Sequence, residues 1–596
     1  METEIKICQN CKQNFTIELD DFGFYEKIKV PSPTWCPECR LIRRLMARNE
    51  RSLFKRKCDL CKEDKVMFLP ADCPYRVFCY PCFFSDKWDA GEYAKEYDFS
   101  RPFFEQWFEL FQSVPRLGVI QQGNNVNSEY TNRASDNKNC YLIFAATNSE
   151  NCLYGNAIWD SKESVDCYNL HKSERCYECI DCYNSSNLKY SQECNSCSNS
   201  SFLYNCRNCD SCFGCVNLRN KSYCIFNQQY AKEEYQEKLK QLNISSRAFV
   251  KEVWGRVREL KNRKIVPNLM EHHSTNVSGN WIEESKNVDY GFNCRNMEDG
   301  KYLFGIVNAK DCMDYTYWGH ASELIYESSN VGRQCASVSF STECWDELLR
   351  AEYCMNCFSS SDLFGCIGLR KKQYRILNKQ YSKEEFNKLK ERIIEQMKAV
   401  PYIDKKGRAY SYGERAPIEF LPSAYNETIA QEYFPITKED ANKMGYLWKE
   451  PSPKNHGITL EAGFIPDRSE DIPENITEEV IGCAHRDSGA GGCNHMCTSA
   501  FKITSYELEY YRQMTLPLPV LCPNCRHFER LGKRVPYKLW RRKCQCAGGK
   551  SGNGAYQNTS AHQHGDNSCG ADFQTSYSPE RPEIVYCLAC YNAEVA

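Results

Sequence analysis

The sequence predicts a mainly β chain with α-helices, in which two cysteine-rich double modules flank a duplicated β-solenoid of short, 15-residue coils closed by helical caps. Three observations carry this. Cys-x2-Cys pairs cluster at both ends, cysteines recur every 15 residues between them, and both the end text and the middle text occur twice. At 596 residues the chain exceeds what one core supports, so several domains are expected. They read as a double module at 1–90, a docking helix and connector at 91–130, and solenoid halves with caps at 131–270 and 271–400. A connector at 401–482 and a second double module at 483–596 follow.

Cysteine is the outlier of the composition, at 39 residues. Such usage means either a disulfide framework or metal binding in a reducing compartment. Met1-Glu2-Thr3-Glu4 lacks the basic and apolar start of a secretory signal. No run of about 18 apolar residues offers a membrane span. A cytoplasmic, metal-binding protein without a membrane partner is therefore expected.

At the N-terminal end, Cys8-x2-Cys11 is followed by Cys36-x2-Cys39, and Cys58-x2-Cys61 by Cys79-x2-Cys82. Zinc takes four soft ligands in a tetrahedron. One knuckle supplies two sulfurs from a tight turn, and a second closes the site. Phe15, Ile17, Phe24 and Tyr25 between the first knuckles read as a short hairpin with a small core, and RLIRRLMARNER after Cys39 reads as a helix. Knuckle, hairpin and a second knuckle opening a helix make treble-clef geometry, in which the helix N-terminus favours thiolate. Cys73 is spare and reads as a buried or free thiol.

On Cys8, Cys11, Phe15, Phe24, Tyr25, Pro31, Cys36, Pro37, Cys39 and Arg40, residues 8–44 resemble the zinc-ribbon (treble-clef-like) domain family. That resemblance implies zinc binding and little else. The wider layout resembles uncharacterised multi-zinc-ribbon bacterial proteins and brings no activity with it.

The C-terminal end repeats the module at a constant offset of 486, from Cys497 through Cys522-x2-Cys525-Arg526 to LWRRKC ending at Cys544. A 22-residue insertion rich in Gly, Ser, Asn and His follows, after which Cys569 takes the place of Cys61 and Cys587-x2-Cys590 that of Cys79-x2-Cys82. The third site is assigned to Cys493, Cys497, Cys522 and Cys525, the fourth to Cys544, Cys569, Cys587 and Cys590. About four zinc ions per chain are expected. Cys493-x3-Cys497 departs from the first copy, so Cys483, His485 and His495 are alternatives there, as Cys546 is to Cys544.

In the middle, Cys152, Cys167, Cys182, Cys197 and Cys212 stand 15 residues apart, and Cys179, Cys194 and Cys209 keep that spacing. A short fixed period marks a repeat architecture. Fifteen residues suit one coil of a narrow β-solenoid, with small cysteines stacked in its core and Asn and Ser at its turns. FGCVNLR at 213–219 returns as FGCIGLR at 364–370, and IFNQQYAKEEY at 225–235 as ILNKQYSKEEF at 376–386. Each half closes with a helix, and Ser382-x2-Glu385 has capping-box spacing. Leu348 and Leu363 fall where Cys197 and Cys212 stood, which favours packing over ligation. An iron–sulfur cluster on Cys206, Cys209, Cys212 and Cys215 is the sharper alternative, and disulfides are another.

FSRPFFEQWFELF at 99–111 reads as an aromatic helix docking the first module onto the solenoid. Beside the zinc knuckles run two basic stripes. On a continuous helix Arg40, Arg44, Arg48, Arg51 and Lys55 share one face; the second copy has Arg526, Arg530, Lys533 and Arg534. Such stripes suit phosphate backbones. The expected function is a zinc-binding multidomain protein that binds DNA or RNA through these helices. The alternative is a zinc-stabilised scaffold meeting protein partners through the solenoid surface. The net charge of −2 favours neither. No nucleophile–base arrangement, HExxH or paired-carboxylate motif stands out, so catalysis is not expected. His562 and His564 in the insertion offer metal ligands, but two histidines alone do not make a site.

Overall fold

The computed structural model of the protein describes residues 2–450, 456–486 and 496–595. Strands Glu4–Ile7 and Asn14–Ile17 pair antiparallel with the first knuckle between them. Lys12 turns the knuckle with a φ of 63°, and its N–H bonds Cys8 O at 3.0 Å. Strands Phe54–Lys57 and Asp64–Met67 repeat the device around Cys58 and Cys61, with Lys62 at a φ of 65°.

Two local expectations are corrected. Phe24 and Tyr25 lie on a helix, Leu19–Ile28, not on a hairpin. Asp21 accepts the N–H of Glu18 at 3.1 Å and caps its first turn. The basic helix Pro37–Met46 stops at Met46, so Arg48 and Arg51 follow it and Lys55 belongs to the strand Phe54–Lys57. Asn49 Oδ1 takes the N–H of Ser52 at 3.1 Å and turns the chain there.

The middle is a β-solenoid, but its coil in the first half is 12 residues, not 15. Parallel partners run Asn156, Tyr168, Ile180, and Ser186, Ser198, Asp210, Ser222. Backbone corners recur at every third residue, with positive φ at Asp136, Asn139, Leu142, Ala145, Asn148 and Asn151 and onward. Four sides of three residues make one coil. A step of 15 is one coil plus one side, so the cysteine ladder spirals around the core. Asn and Asp tolerate the left-handed corners because their short side chains bond locally. The residue after each corner points inward, where Cys167, Leu170, Cys176, Cys179, Cys182 and Leu188 form a continuous core.

The second half keeps the plan with local departures, pairing Thr275 with Lys286 and Thr342 with Met355. At Gly279 (φ +131°) a Cβ would lie 1.7 Å from Gly291 O, so only glycine fits where the register shifts. Leu348 and Leu363 are fully buried, as core residues replacing cysteine should be. Each half ends in an antiparallel hairpin, Ser222–Ile225 with Gln228–Gln229 and Gln373–Ile376 with Lys379–Gln380. Helices Lys232–Lys240 and Lys383–Ala399 then cap them. In the latter, Ser382 and Glu385 make the reciprocal capping bonds at 3.2 and 2.9 Å.

The chain forms two compact units. One joins Met1–Ile120 to Leu269–Lys449 and Tyr537–Leu539; the other joins Gln121–Asn268 to Glu450–Pro536 and Trp540–Ala596. Each end module thus packs on the solenoid half farther from it in sequence. In the first unit the helix Phe103–Ser113 docks on the second half, where Trp107 Nε1 donates to Tyr353 O at 2.9 Å and the Phe103 and Phe364 rings stand 5.2 Å apart. In the second unit the strand Ile265–Pro267 runs parallel to Ile584–Tyr586, beside the last knuckle. Among the described residues no helix is long and apolar enough to cross a membrane.

Candidate metal centres

Four all-cysteine groups bring their sulfurs within 4.8 Å of one another. The first is Cys8, Cys11, Cys36 and Cys39, and the second Cys58, Cys61, Cys79 and Cys82. The third is Cys483, Cys497, Cys522 and Cys525, and the fourth Cys544, Cys569, Cys587 and Cys590. Tetrahedral zinc with sulfur at about 2.3 Å sets its ligands about 3.8 Å apart. The sulfur–sulfur separations match: 3.7 Å for Cys11–Cys36, 4.0 Å for Cys61–Cys79, 3.8 Å for Cys483–Cys525, 3.9 Å for both Cys497–Cys522 and Cys569–Cys587. A disulfide would need about 2.05 Å. The residues present fit zinc, and the cysteine groups in the N- and C-terminal parts of the sequence resemble zinc-binding treble-clef or ribbon-like modules.

One local device recurs in all four. The backbone N–H of the third cysteine donates to the sulfur of the first, from Cys36 to Cys8 at 3.2 Å, Cys79 to Cys58 at 3.3 Å, Cys522 to Cys483 at 3.2 Å and Cys587 to Cys544 at 3.2 Å. In each case a helix starts directly after that third cysteine: Pro37–Met46, Tyr80–Phe83, Pro523–Gly532 and Leu588–Val595. N–H donors and a helix N-terminus both stabilise thiolate over thiol. In the first group Asn10 Nδ2 adds a donor to Cys39 Sγ at 3.3 Å.

The third group corrects the ligand set. Cys493 lies outside the described residues, and the group is complete with Cys483 in the place of Cys8. Ile481–Gly482 pairs with Ala500–Phe501 and brings Cys483 beside Cys497, although the two are far apart for a Cys-x2-Cys knuckle. His485 instead approaches Glu529 at 3.8 Å, and His495 lies outside the described residues. Cys544 keeps its assigned place. Cys73 is no ligand; its sulfur accepts from Arg56 Nη1 at 3.1 Å.

The solenoid cysteines join no such group among the described residues. Cys182 Sγ faces Ile180 O at 3.4 Å and Ser191 O at 3.6 Å, and Cys167 Sγ faces Val165 O and Cys176 O, both at 3.4 Å. A thiol donates to carbonyls; a thiolate cannot. Burial pushes the Cys294 and Cys312 thiols up to about 12.

The basic stripes are near the metal groups but turn inward. In the first unit Arg40 Nε pairs with Asp314 at 2.8 Å, Arg44 Nη1 pairs with Asp314 at 3.0 Å and Glu327 at 3.1 Å, and Arg43 bridges Glu327 and Glu414 at 2.8 and 2.9 Å. Arg48 is buried against Glu50 and Asn330, and Arg51 is half-buried. The second unit repeats the pattern. Arg526 and Arg530 both clamp Asp166, at 2.6 and 2.8 Å, while Lys533 meets Glu178 at 3.2 Å and Arg534 meets Asp181 at 2.9 Å. Arg40, Arg44, Arg526 and Arg530 expose at most 3% of their surface. The expectation that they face phosphates is corrected: these four side chains are buried and turn toward solenoid carboxylates of their own unit, not outward. Although burial opposes it, Arg43 and Arg44 hold the Glu327 carboxyl down to about 2.

No family model matches the chain. No curated protein matches it. Among solved structures, one similar chain is described as "putative acetyltransferase from Desulfovibrio desulfuricans G20", at 10% identity and a TM-score of 0.10, over 41% of this chain and 63% of that one. The match thus spans less than two thirds of that protein, and at this TM-score it carries no argument.

Proposed function

We propose that the chain is a zinc-stabilised scaffold that meets protein partners through its solenoid surface and performs no catalysis. The observation that carries the reading is the fate of the basic residues. Most of the charge that suggests a nucleic-acid partner, on Arg40, Arg44, Arg526, Arg530 and Arg534, is taken up inside each unit, where it locks a zinc module to a solenoid half. The four groups that pair the knuckles take all their ligands from cysteine, the closed set of a structural site, with no position left for water or substrate.

The outward rows of the solenoid support a binding role. Asn127, Asn139 and Asn151 form an exposed amide ladder linked at 3.0 and 3.1 Å. Half-buried Trp159, His171 and Tyr183 line up on successive coils with ring centroids 4.3 and 4.8 Å apart. Regular rows along a solenoid make an extended contact face of the kind repeat proteins use.

Titrating the full chain with mixed-sequence DNA and RNA at low salt tests this against the nucleic-acid reading. The scaffold reading expects no affinity that fades with added salt. Tight, steeply salt-dependent binding would overturn it. A complementary test compares proteins co-purifying with the wild type and with a Trp159→Ala/His171→Ala/Tyr183→Ala variant; partners that depend on this row should be lost from the variant.

A further inference from the structure

The insertion that distinguishes the C-terminal module from its N-terminal copy brings a second kind of ligand to the fourth zinc group. Cys546, His562, His564 and Cys590 also place their ligand atoms within 4.8 Å of one another. Cys546 Sγ stands 3.7 Å from His562 Nδ1, and His564 Nε2 stands 3.3 Å from Cys590 Sγ. Cys590 therefore belongs to both groups. We propose that the fourth zinc group holds two zinc ions bridged by the Cys590 thiolate, one on Cys544, Cys569 and Cys587, the other on Cys546, His562 and His564.

The count of ligands fits. Seven side chains, with one sulfur shared, fill two tetrahedra completely. Two thiolates and two imidazoles are a donor set that suits zinc.

The surroundings fix both histidines in the tautomer a metal needs. His562 Nε2 lies 2.8 Å from Glu594 Oε1, and the Glu594 side chain has no exposed surface. The same carboxylate accepts from Thr559 N at 2.7 Å, Ser560 N at 3.1 Å and Tyr556 OH at 2.9 Å, so it is held as an acceptor. Nε2 thus carries the proton, and the lone pair of Nδ1 faces Cys546. His564 Nδ1 lies 2.7 Å from the carbonyl of Asn567, which can only accept. Its proton sits there, and the lone pair of Nε2 faces Cys590. Carboxylate and carbonyl partners of this kind orient metal-bound histidines generally. Asn558 Nδ2 also donates to Cys546 Sγ at 3.2 Å.

The insertion is folded around this group. Cys546 bridges to Ser551, Ala547 to Ser568 and Lys550 to Gln557. The N-terminal copy has neither the insertion nor the ligand: Leu60 stands where Cys546 does. One module therefore holds two separate sites' worth of zinc, and its partner copy holds two sites with a third fused to the last.

Metal analysis of the purified full-length chain by mass spectrometry should find five zinc ions, against four for a His562→Ala/His564→Ala variant. Cadmium-113 substitution gives a readout independent of any variant's folding. A sulfur-rich and a mixed nitrogen–sulfur resonance should appear for the pair sharing Cys590, split by coupling through the shared sulfur. Glu594→Gln should weaken binding of the fifth zinc 10- to 100-fold or thereabouts, roughly the range for losing an outer-shell partner, and leave the other four unchanged. Four zinc ions in the wild type, or five retained in the double histidine variant, would overturn the proposal. So would cadmium spectra with sulfur-only resonances and no coupling.

Discussion

Cys36-x2-Cys39 in the first module and Cys176-x2-Cys179 in the solenoid share a spacing and differ in everything around it. In the module, a helix begins at Pro37 and the N–H of Cys39 turns back to Cys36 Sγ at 3.5 Å, so the sulfurs converge on one point. A second knuckle on a hairpin completes the tetrahedron. In the solenoid, Glu178 takes a φ of 49° and turns the chain one corner, so the two sulfurs lie on adjacent sides of the coil. Cys179 Sγ there faces Tyr177 O and Leu188 O, both at 3.5 Å, and burial pushes its thiol well up. The motif alone does not choose between ligand and core thiol. What chooses is whether the backbone between the cysteines closes a turn or rounds a corner.

Removing zinc should break this contrast most strongly. A structural zinc site supplies on the order of 10 kcal/mol of folding free energy. Excess chelator should therefore raise hydrogen exchange across the knuckle strands and their helices at both ends. The solenoid strands, such as Tyr168–His171 and Leu349–Glu352, should keep their protection. The next largest effect concerns the lock between module and solenoid. Asp166→Asn leaves Arg526 and Arg530 buried with a lost charge partner, which should cost roughly 3–5 kcal/mol. A lower denaturation midpoint with unchanged zinc content is the expected result, and Asp314→Asn should act the same way on Arg40 and Arg44.

Smaller substitutions sharpen the comparison. Cys182→Ala should cost about 1 kcal/mol of packing and no zinc, whereas Cys522→Ala should lose one zinc equivalent. The smallest expected change is at a corner. Asn199 sits at a φ of 46°, so Asn199→Ala should cost about 1 kcal/mol and Asn199→Gly less, read from chemical denaturation.

Much of this was legible in the residues. The paired knuckles, the duplication and the capping box at Ser382 follow from local spacing, which local geometry obeys. The coil length was not, because the eye follows the cysteines and their period adds one side to each coil. Asn and Asp at 136, 139, 148, 151 and 160, all left-handed corners, were the better ruler. Cys483 was obscured because a strand pair, not a tight turn, brings it to Cys497. The role of the basic stripes was invisible for a different reason. Arg526 and Asp166 are 360 residues apart, and Arg44 and Asp314 are 270 apart, so nothing local links them. A one-sided run of charge looks the same whether its partner is a phosphate or a carboxylate of the same chain.

The division of cysteines is tested most directly by alkylating the native protein with and without chelator and mapping the labelled residues by mass spectrometry. Chelation should expose Cys8, Cys36, Cys58, Cys79, Cys483, Cys522, Cys544 and Cys587 with their group partners. The ladder of Cys152, Cys167, Cys182, Cys197 and Cys212 should stay unlabelled until the solenoid itself unfolds. Labelling of that ladder on chelation alone would contradict the division, because it would mean that metal, not packing, holds those thiols.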